Sequence, residues 1–519
     1  MLFRRKRVPM FRNRDWMNER GILLSLAVVL LTVVVWAQDD QSTPPPAATV
    51  GETTSESSLS DNPPISAIDQ PDLEPHSAPE SFLLPGLHFS ESVESNVANS
   101  PNGSGVTAVT RGLASLTLQK IWKTDEVAMD YIGGVADYAN NSLGLQQLQQ
   151  FDIDNRINWR RGQLAIRDSF SYLPEGAFGF GAYGGGGAYN AGFGGLGAGL
   201  LGAGAFGGQT NAFVGGNGLG ISLGLVPRIT NLGLVDVIED LTPKSSLTFI
   251  AGYGLVHFYG SLVVDNPLAG PLQENVNFIG SSEYTGQVAY DRELNPRNQV
   301  AVSYGYQYFN FSTADTAFHS QVVQLMYGHR ITGRMSFLIS AGPQITGINQ
   351  QQCAIPGVPV SSCAQFGAPV STVGVTNIGA AGRASLRYKF PRTSLAVSFQ
   401  RYDTTGSGIF AGAETNIAQL NLARPLTRIW DLFGDVGYSE NRELQIPGST
   451  VNATSFSYEY AGVGVHRQFG RSLRGFVSYQ FNNLSFNTPC PLGSACNNMA
   501  HNQVGSIGLD WTPRPIRLD

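Results

Sequence analysis

Three groups of residues in this chain have the types and spacing for chemistry at a site. Gly220-Ile221-Ser222-Leu223-Gly224 spells the G-x-S-x-G of a nucleophile elbow, in which a strand-to-helix turn presents a serine to a histidine and an acid. Here the pentapeptide stands in a glycine tract with no helical pattern, so it reads as a chance match. Ser222 is nevertheless the one motif from which a barrel-embedded lipid hydrolase could be built. Several G-x-G-x-x-G spellings in the same tract lack the strand and helix that a dinucleotide site requires. The seven histidines are scattered, with no H-E-x-x-H and no ligand spacing, so His257, His319 and His466 read as strand residues and no metal or cofactor is expected. The four cysteines form two close pairs, Cys353 with Cys363 and Cys490 with Cys496. Their spacings are not those of a zinc knuckle, and in an exported chain they are expected as local disulfides.

A second kind of chemistry is electrostatic. Arg111, Asp152, Asp154, Arg156, Arg167, Glu283, Arg383, Arg387, Asp431, Asp435, Arg474 and Asp510 fall on the polar side of alternating segments. Enclosed together, they set the local field and ion preference of a pore, or they neutralise one another across neighbouring strands. Their mixed signs oppose strong selectivity for either ion class.

The elements that must position these charges are strands. Val300, Val302, Tyr304, Tyr306 and Tyr308 share one face, with Ala301, Ser303, Gly305 and Gln307 on the other. Leu473, Val477, Tyr479 and Phe481 oppose Arg474, Ser478, Gln480 and Asn482 in the same way. Period-two alternation of this length exceeds a soluble strand and suits a tilted crossing of a bilayer, which needs about 9–11 residues. Very short connections occur at Lys123–Asp125, Arg160–Gly162, Thr242–Lys244, Leu294–Arg297, Ile331–Gly333, Phe390–Arg392, Pro425–Thr427 and Phe469–Arg471. Longer ones intervene each time, among them Tyr259–Phe278, Gly347–Thr372 and Thr404–Ala411. Strict alternation of short turns and long loops is the rhythm of a bacterial outer-membrane barrel. The expected fold is all-β: a closed antiparallel transmembrane β-barrel of about 18 strands, from Leu87–Ser95 to Met499–Trp511. The first strand, where Glu91 and Glu94 blur the pattern, and the one at Arg228–Leu241 are the weakest, and without them 16 remain.

Composition agrees. Charged residues are 14%, aromatics 10% and mean hydropathy −0.06, as expected where apolar outward and polar inward residues average out. A basic stretch (Arg4, Arg5, Lys6, Arg7, Arg12, Arg14, Arg20) before the apolar run Ile22–Val35 reads as a signal peptide over 1–37, cleaved after Ala37, with Met10 and Met17 as alternative starts. An uncleaved anchor is the rival reading. Removing that segment takes seven Lys/Arg and two Asp/Glu from totals of 33 and 39. The remaining chain is acidic, so no nucleic-acid partner is expected. Residues 38–85, rich in Pro, Ser and Thr, read as a disordered periplasmic linker. The barrel is expected over 86–513 and a tail over 514–519. Between Glu175 and Gly224 lie 21 of the 61 glycines, within a 174–227 segment read as an outside loop.

On these features, and on the closing strand with Gly505, Ile507, Leu509 and Trp511, the chain resembles the porin-like outer-membrane barrels. The resemblance implies a terminal aromatic read by the barrel-insertion machinery, although Pro513–Asp519 extends beyond it. It also implies outer-membrane lipid as partner, an outer-membrane location, and a third outside loop that folds inward as a constriction. The expected function is a non-enzymatic channel for passive diffusion of small hydrophilic solutes. The alternative is a surface-contact or adhesion barrel acting through its glycine-rich and disulfide-bearing loops.

Overall fold

The computed structural model describes residues 81–97, 105–139, 144–173, 227–259, 261–264, 274–277, 279–295, 297–311, 316–332, 334–355, 363–390, 393–404, 412–444, 455–486 and 499–518. The expected signal peptide, most of the linker, the glycine tract with Ser222, and Cys490 with Cys496 lie outside the described residues.

The strands in chain order are β1 (Phe82–Glu94), β2 (Thr107–Ile121), β3 (Asp125–Tyr138), β4 (Gly144–Trp159), β5 (Gly162–Leu173), β6 (Arg228–Thr242), β7 (Ser245–Phe258), β8 (Ser261–Val264) and β9 (Glu274–Asn277). There follow β10 (Ser281–Asn295), β11 (Asn298–Phe311), β12 (Thr316–Thr332), β13 (Met335–Cys353), β14 (Val370–Lys389), β15 (Ser394–Thr404), β16 (Ala413–Pro425), β17 (Trp430–Glu443), β18 (Ser455–Phe469), β19 (Leu473–Phe486), β20 (Met499–Trp511) and β21 (Ile516–Arg517).

Each wall strand pairs antiparallel with its predecessor, β10 pairs with β7, and β1 pairs with β20. The wall is therefore a closed barrel of 18 strands, with β8 and β9 forming a separate hairpin. Closure satisfies the backbone groups that an open sheet would leave bare in lipid. The two weak strands are regular: β6 pairs along its length with β5 and β7, and β1 opens the wall.

The differences from the expected boundaries have local causes. β1 begins at Phe82, inside the segment read as linker, because Phe82 and Leu83 pair with Arg517 and Ile516 of β21. The C-terminal extension thus prolongs the closing seam, and the Lys120 ammonium donates to the Leu518 carbonyl at 2.5 Å. The expected loop at Gly347–Thr372 is strand at both ends, since β13 and β14 stay paired up to Cys353 opposite Val370. The polar run Asn349-Gln350-Gln351-Gln352 hid that extension by lacking alternation. A disulfide joins Cys353 to Cys363 just beyond it. The hairpin β8–β9, each strand four residues long, is too short to leave a periodic signal.

The disulfide springs from Cys353 in the last pair of the β13–β14 ladder and closes a short span, so its contribution is local. Reducing it should leave the heat-modifiable gel mobility of the folded barrel unchanged while speeding proteolysis between residues 353 and 370. Loss of the folded band on reduction would show that the barrel itself depends on it.

Candidate channel interior

Alternation divides the wall strands into a buried and an exposed row, except on β14 from Ser371 to Ala380. The exposed row is apolar: Leu87, Phe89, Ile166, Val235, Phe249, Val302, Tyr304, Leu325, Ile339, Phe399, Val463, Val477 and Leu509 are among the exposed large hydrophobics. Single exposed apolar side chains are ordinary, but a belt of them around a closed barrel is a lipid-facing surface. The architecture is that of a closed transmembrane β-barrel.

No protein-family profile matches the chain, and no curated protein does. Among solved structures it is similar to OpdK of Pseudomonas aeruginosa, solved with vanillate, at 9% identity and a TM-score of 0.40 over 83% of this chain and 99% of that one. OccAB3 of Acinetobacter baumannii matches at 9% identity and a TM-score of 0.38, covering 84% of this chain and 99% of that one. The siderophore receptor PiuA of the same organism matches at 8% identity and a TM-score of 0.42, over 85% of this chain and 82% of the receptor. The barrel assignment rests on the chain's own strand pairings.

The buried row faces the interior, and its chemistry changes with height. Much of it is neutral and polar: Ser90 and Ser92 on β1, Ser303 and Gln307 on β11, Ser320 and Gln324 on β12, Ser439 and Asn441 on β17, and Gln480 and Asn482 on β19 are all buried. Many bond along the row. Gln344 donates to Ser320 at 2.8 Å, and Asn441 accepts from Thr415 at 2.8 Å and donates to Ser439 at 3.1 Å.

Toward the short-turn end the interior carries charge. Asp510 accepts from His88 at 2.9 Å and lies 3.8 Å from Arg474, uniting β1, β19 and β20. Asp154 meets Arg156 at 2.9 Å, and Arg167 is paired with Asp236. Nearer the long-loop end Arg111 is paired with Glu94 at 3.2 Å, donates to Ser92 and lies over the Tyr138 ring. Glu283 accepts from Gln307 at 2.9 Å. His88 with Asp510, Arg474 with Asp510 and Arg167 with Asp236 are direct or diagonal cross-strand neighbours, whereas Asp154 and Arg156 share β4.

The structure thus places Arg111, Asp154, Arg167, Glu283, Arg383 and Asp510 in the buried row, with Arg156 and Arg474 partly covered. Asp431 departs from the expected enclosure: it shares that row, but at the penultimate step of the strand beside the short turn, where it is exposed. The side chains of Asp152, Arg387 and Asp435 lie outside the described residues. Sequence reading missed the partners Glu94, His88 and Asp236. Parity marked all three, but which cation each would meet depends on register, which alternation alone does not set.

Toward the long-loop end the interior becomes apolar, which the alternation did not announce. Tyr402, Ala413, Ile417, Phe456, Tyr458, Leu484 and Ala500 form one buried cluster, and Phe309, Phe311, Phe318 and Ile348 another. Both belong to inward rows that are polar lower down, as where Ser303 and Gln307 give way to Phe309 and Phe311.

Proposed function

We propose that the barrel is a channel by which small hydrophilic solutes diffuse passively across the outer membrane down their concentration gradients. The observation that carries this reading is the set of amide and hydroxyl side chains buried on the inward rows of β1, β11, β12, β13, β17 and β19. Burying such groups costs free energy unless they are hydrogen-bonded, and an apolar filling would stabilise the barrel better. A set of this kind gives a polar solute successive partners in place of water. The inward charges, Arg383 and Glu283 among them, then set the field the solute crosses. Export by a signal cleaved after Ala37 and insertion through recognition of the strand ending at Trp511 belong to the same reading.

The interior is closely lined, so the unit conductance should be far below that of an empty lumen of this strand number. Purified protein folded in detergent and added to a planar bilayer should give discrete small steps. Under a salt gradient Arg383→Gln should move the reversal potential toward cation preference, and Glu283→Gln should move it the other way. A silent bilayer with folded protein would sink the channel reading. It would favour the second one, a surface-contact role, for which the long disulfide-tied β13–β14 hairpin and its exposed Phe366 speak.

A further inference from the structure

One seam of the wall leaves more than half of a long strand's edge unpaired among the described residues. Between β14 and β15 the ladder comprises eight residue pairs, from Lys389 opposite Ser394 to Gly382 opposite Arg401. On its other side β14 continues in register with β13 through Gly342 opposite Ala381 to Cys353 opposite Val370. Beyond Gly382, therefore, the β15-facing edge of β14 pairs with no strand among the described residues.

Above the last pair the two strands diverge. The outer end of β15 turns to the inside of the wall, where the Asp403 carboxylate accepts from the Thr346 and Ser320 hydroxyls on the inward rows of β13 and β12. Nearly every residue of β14 from Ser371 to Ala380 is exposed, on both faces. Arg401 stands in the crotch, donating to the Ala380 carbonyl at 3.1 Å and to Glu414 at 2.6 Å.

The height of this fork matters. Eight pairs from the short turn fall just under the roughly 9–11 residues that a strand needs to cross a bilayer. Above the fork, Ile345 and its partner Ile378, 74% exposed, still present apolar side chains outward. The opening therefore begins at the level of the outer leaflet. At that level the interior is also apolar: Tyr402, the first residue of β15 past the fork, belongs to the cluster with Ile417, Phe456 and Leu484.

We propose that the fork is a lateral doorway between the barrel interior and the outer leaflet, used by single-chain amphiphiles. A bare strand edge is unstable in hydrocarbon because its amide groups need polar partners. An amphiphile supplies a polar head to that edge while its chain lies on the aromatic lining, whereas a pure hydrocarbon satisfies only the second requirement. Asp403 is the latch, since its two hydroxyl partners hold the outer end of β15 against the opposite side of the doorway. The inference goes beyond the hydrophilic-solute reading and shares with it only the barrel.

The test uses the full chain folded in phospholipid vesicles and dodecanoic acid bearing a terminal diazirine, with photolabelled residues mapped by mass spectrometry. Continuing the register one step past the fork sets residue 381 opposite 402, so the double variant Ala381→Cys with Tyr402→Cys closes the fork when oxidised. Comparing oxidised with reduced protein of one sequence removes any folding cost of the substitutions. Wild type under the same two conditions controls for the native disulfide. Wild type and the reduced variant should be labelled on Ile417, Phe456 and Leu484. Oxidation should lower that labelling by an order of magnitude in the variant alone, and Asp403→Ala should raise it severalfold. Interior labelling that is absent in wild type, or equal in the oxidised and reduced variant, would overturn the doorway. Conductance recorded on the same preparations separates the two readings. Silent bilayers with redox-dependent labelling would remove the hydrophilic channel and leave the doorway standing, and conductance steps without it the reverse.

Discussion

Gly342→Val should destabilise the barrel more than other single small-to-large changes in its wall. An added Cβ at Gly342 would stand 1.7 Å from the Val323 carbonyl oxygen and 2.7 Å from its carbon. Both are backbone atoms of the neighbouring strand, so no side-chain rotation relieves the clash. The β12–β13 ladder is already interrupted there, between Val322 opposite Gln344 and Leu325 opposite Ala341. Pro343 has no N–H to give to it. Overpacking a filled interior typically costs about 1–3 kcal/mol, and a clash fixed in backbone belongs at the upper end or beyond. Guanidinium unfolding followed by tyrosine and tryptophan fluorescence should show a lower midpoint. Gly286→Ala, where an added Cβ meets nothing within 4 Å, should show no loss. Equal midpoints for Gly342→Val and wild type would mean that β12 and β13 are not this close.

Asp510→Ala should weaken the closure of the barrel. The Asp510 side chain is almost fully enclosed and is held from two sides, by His88 at 2.9 Å and Arg474 at 3.8 Å. Removing one member of a buried ion pair leaves the other uncompensated and costs about 3–5 kcal/mol. Arg474 is partly covered and can reach water, so the lower end applies here. The loss falls on the junction of β1 and β20, where the sheet becomes a barrel. The expected outcome is a reduced fraction of heat-modifiable, folded protein on unboiled gels, partly restored by the second change Arg474→Leu, which removes the stranded cation. A double variant no better than Asp510→Ala would show that the pair with Arg474 contributes little and that His88 is the partner that counts.

Strand number, strand polarity and the interior side of each strand were all legible in the sequence, because a bilayer imposes one rule on every strand: apolar outward, period two, and a minimum length. Val302, Tyr304 and Tyr306 against Ser303 and Gln307 show that rule directly. It says nothing about what lies across the lumen. Phe309 and Phe311 carry the same parity as Gln307, yet they create an apolar layer that only the convergence of β11, β12 and β13 makes into one cluster. Nor did parity pair Arg167 with Asp236, since the partner of a buried charge is set by the register of two strands joined through a 54-residue connection. The fork above Gly382 was invisible for a similar reason. Its residues alternate acceptably, and the information lies in which edges fail to meet.

The two hydrogen-bonded ends of the wall also dictate the order in which it can be made. His88 and Asp510 are separated by 422 positions, so the contact that turns sheet into barrel is among the most distant the chain makes. Neighbouring hairpins can form as each turn appears, but until β20 arrives the growing sheet carries a bare edge on β1. Such edges recruit other strands indiscriminately, and long-range pairing is slow because loop-closure entropy is paid before any contact rewards it. The chain must therefore be kept from its own copies until the barrel closes. A polypeptide ended before Met499 is left as an unclosed, aggregation-prone sheet rather than a smaller barrel, and the β21 extension adds grip to the last junction formed.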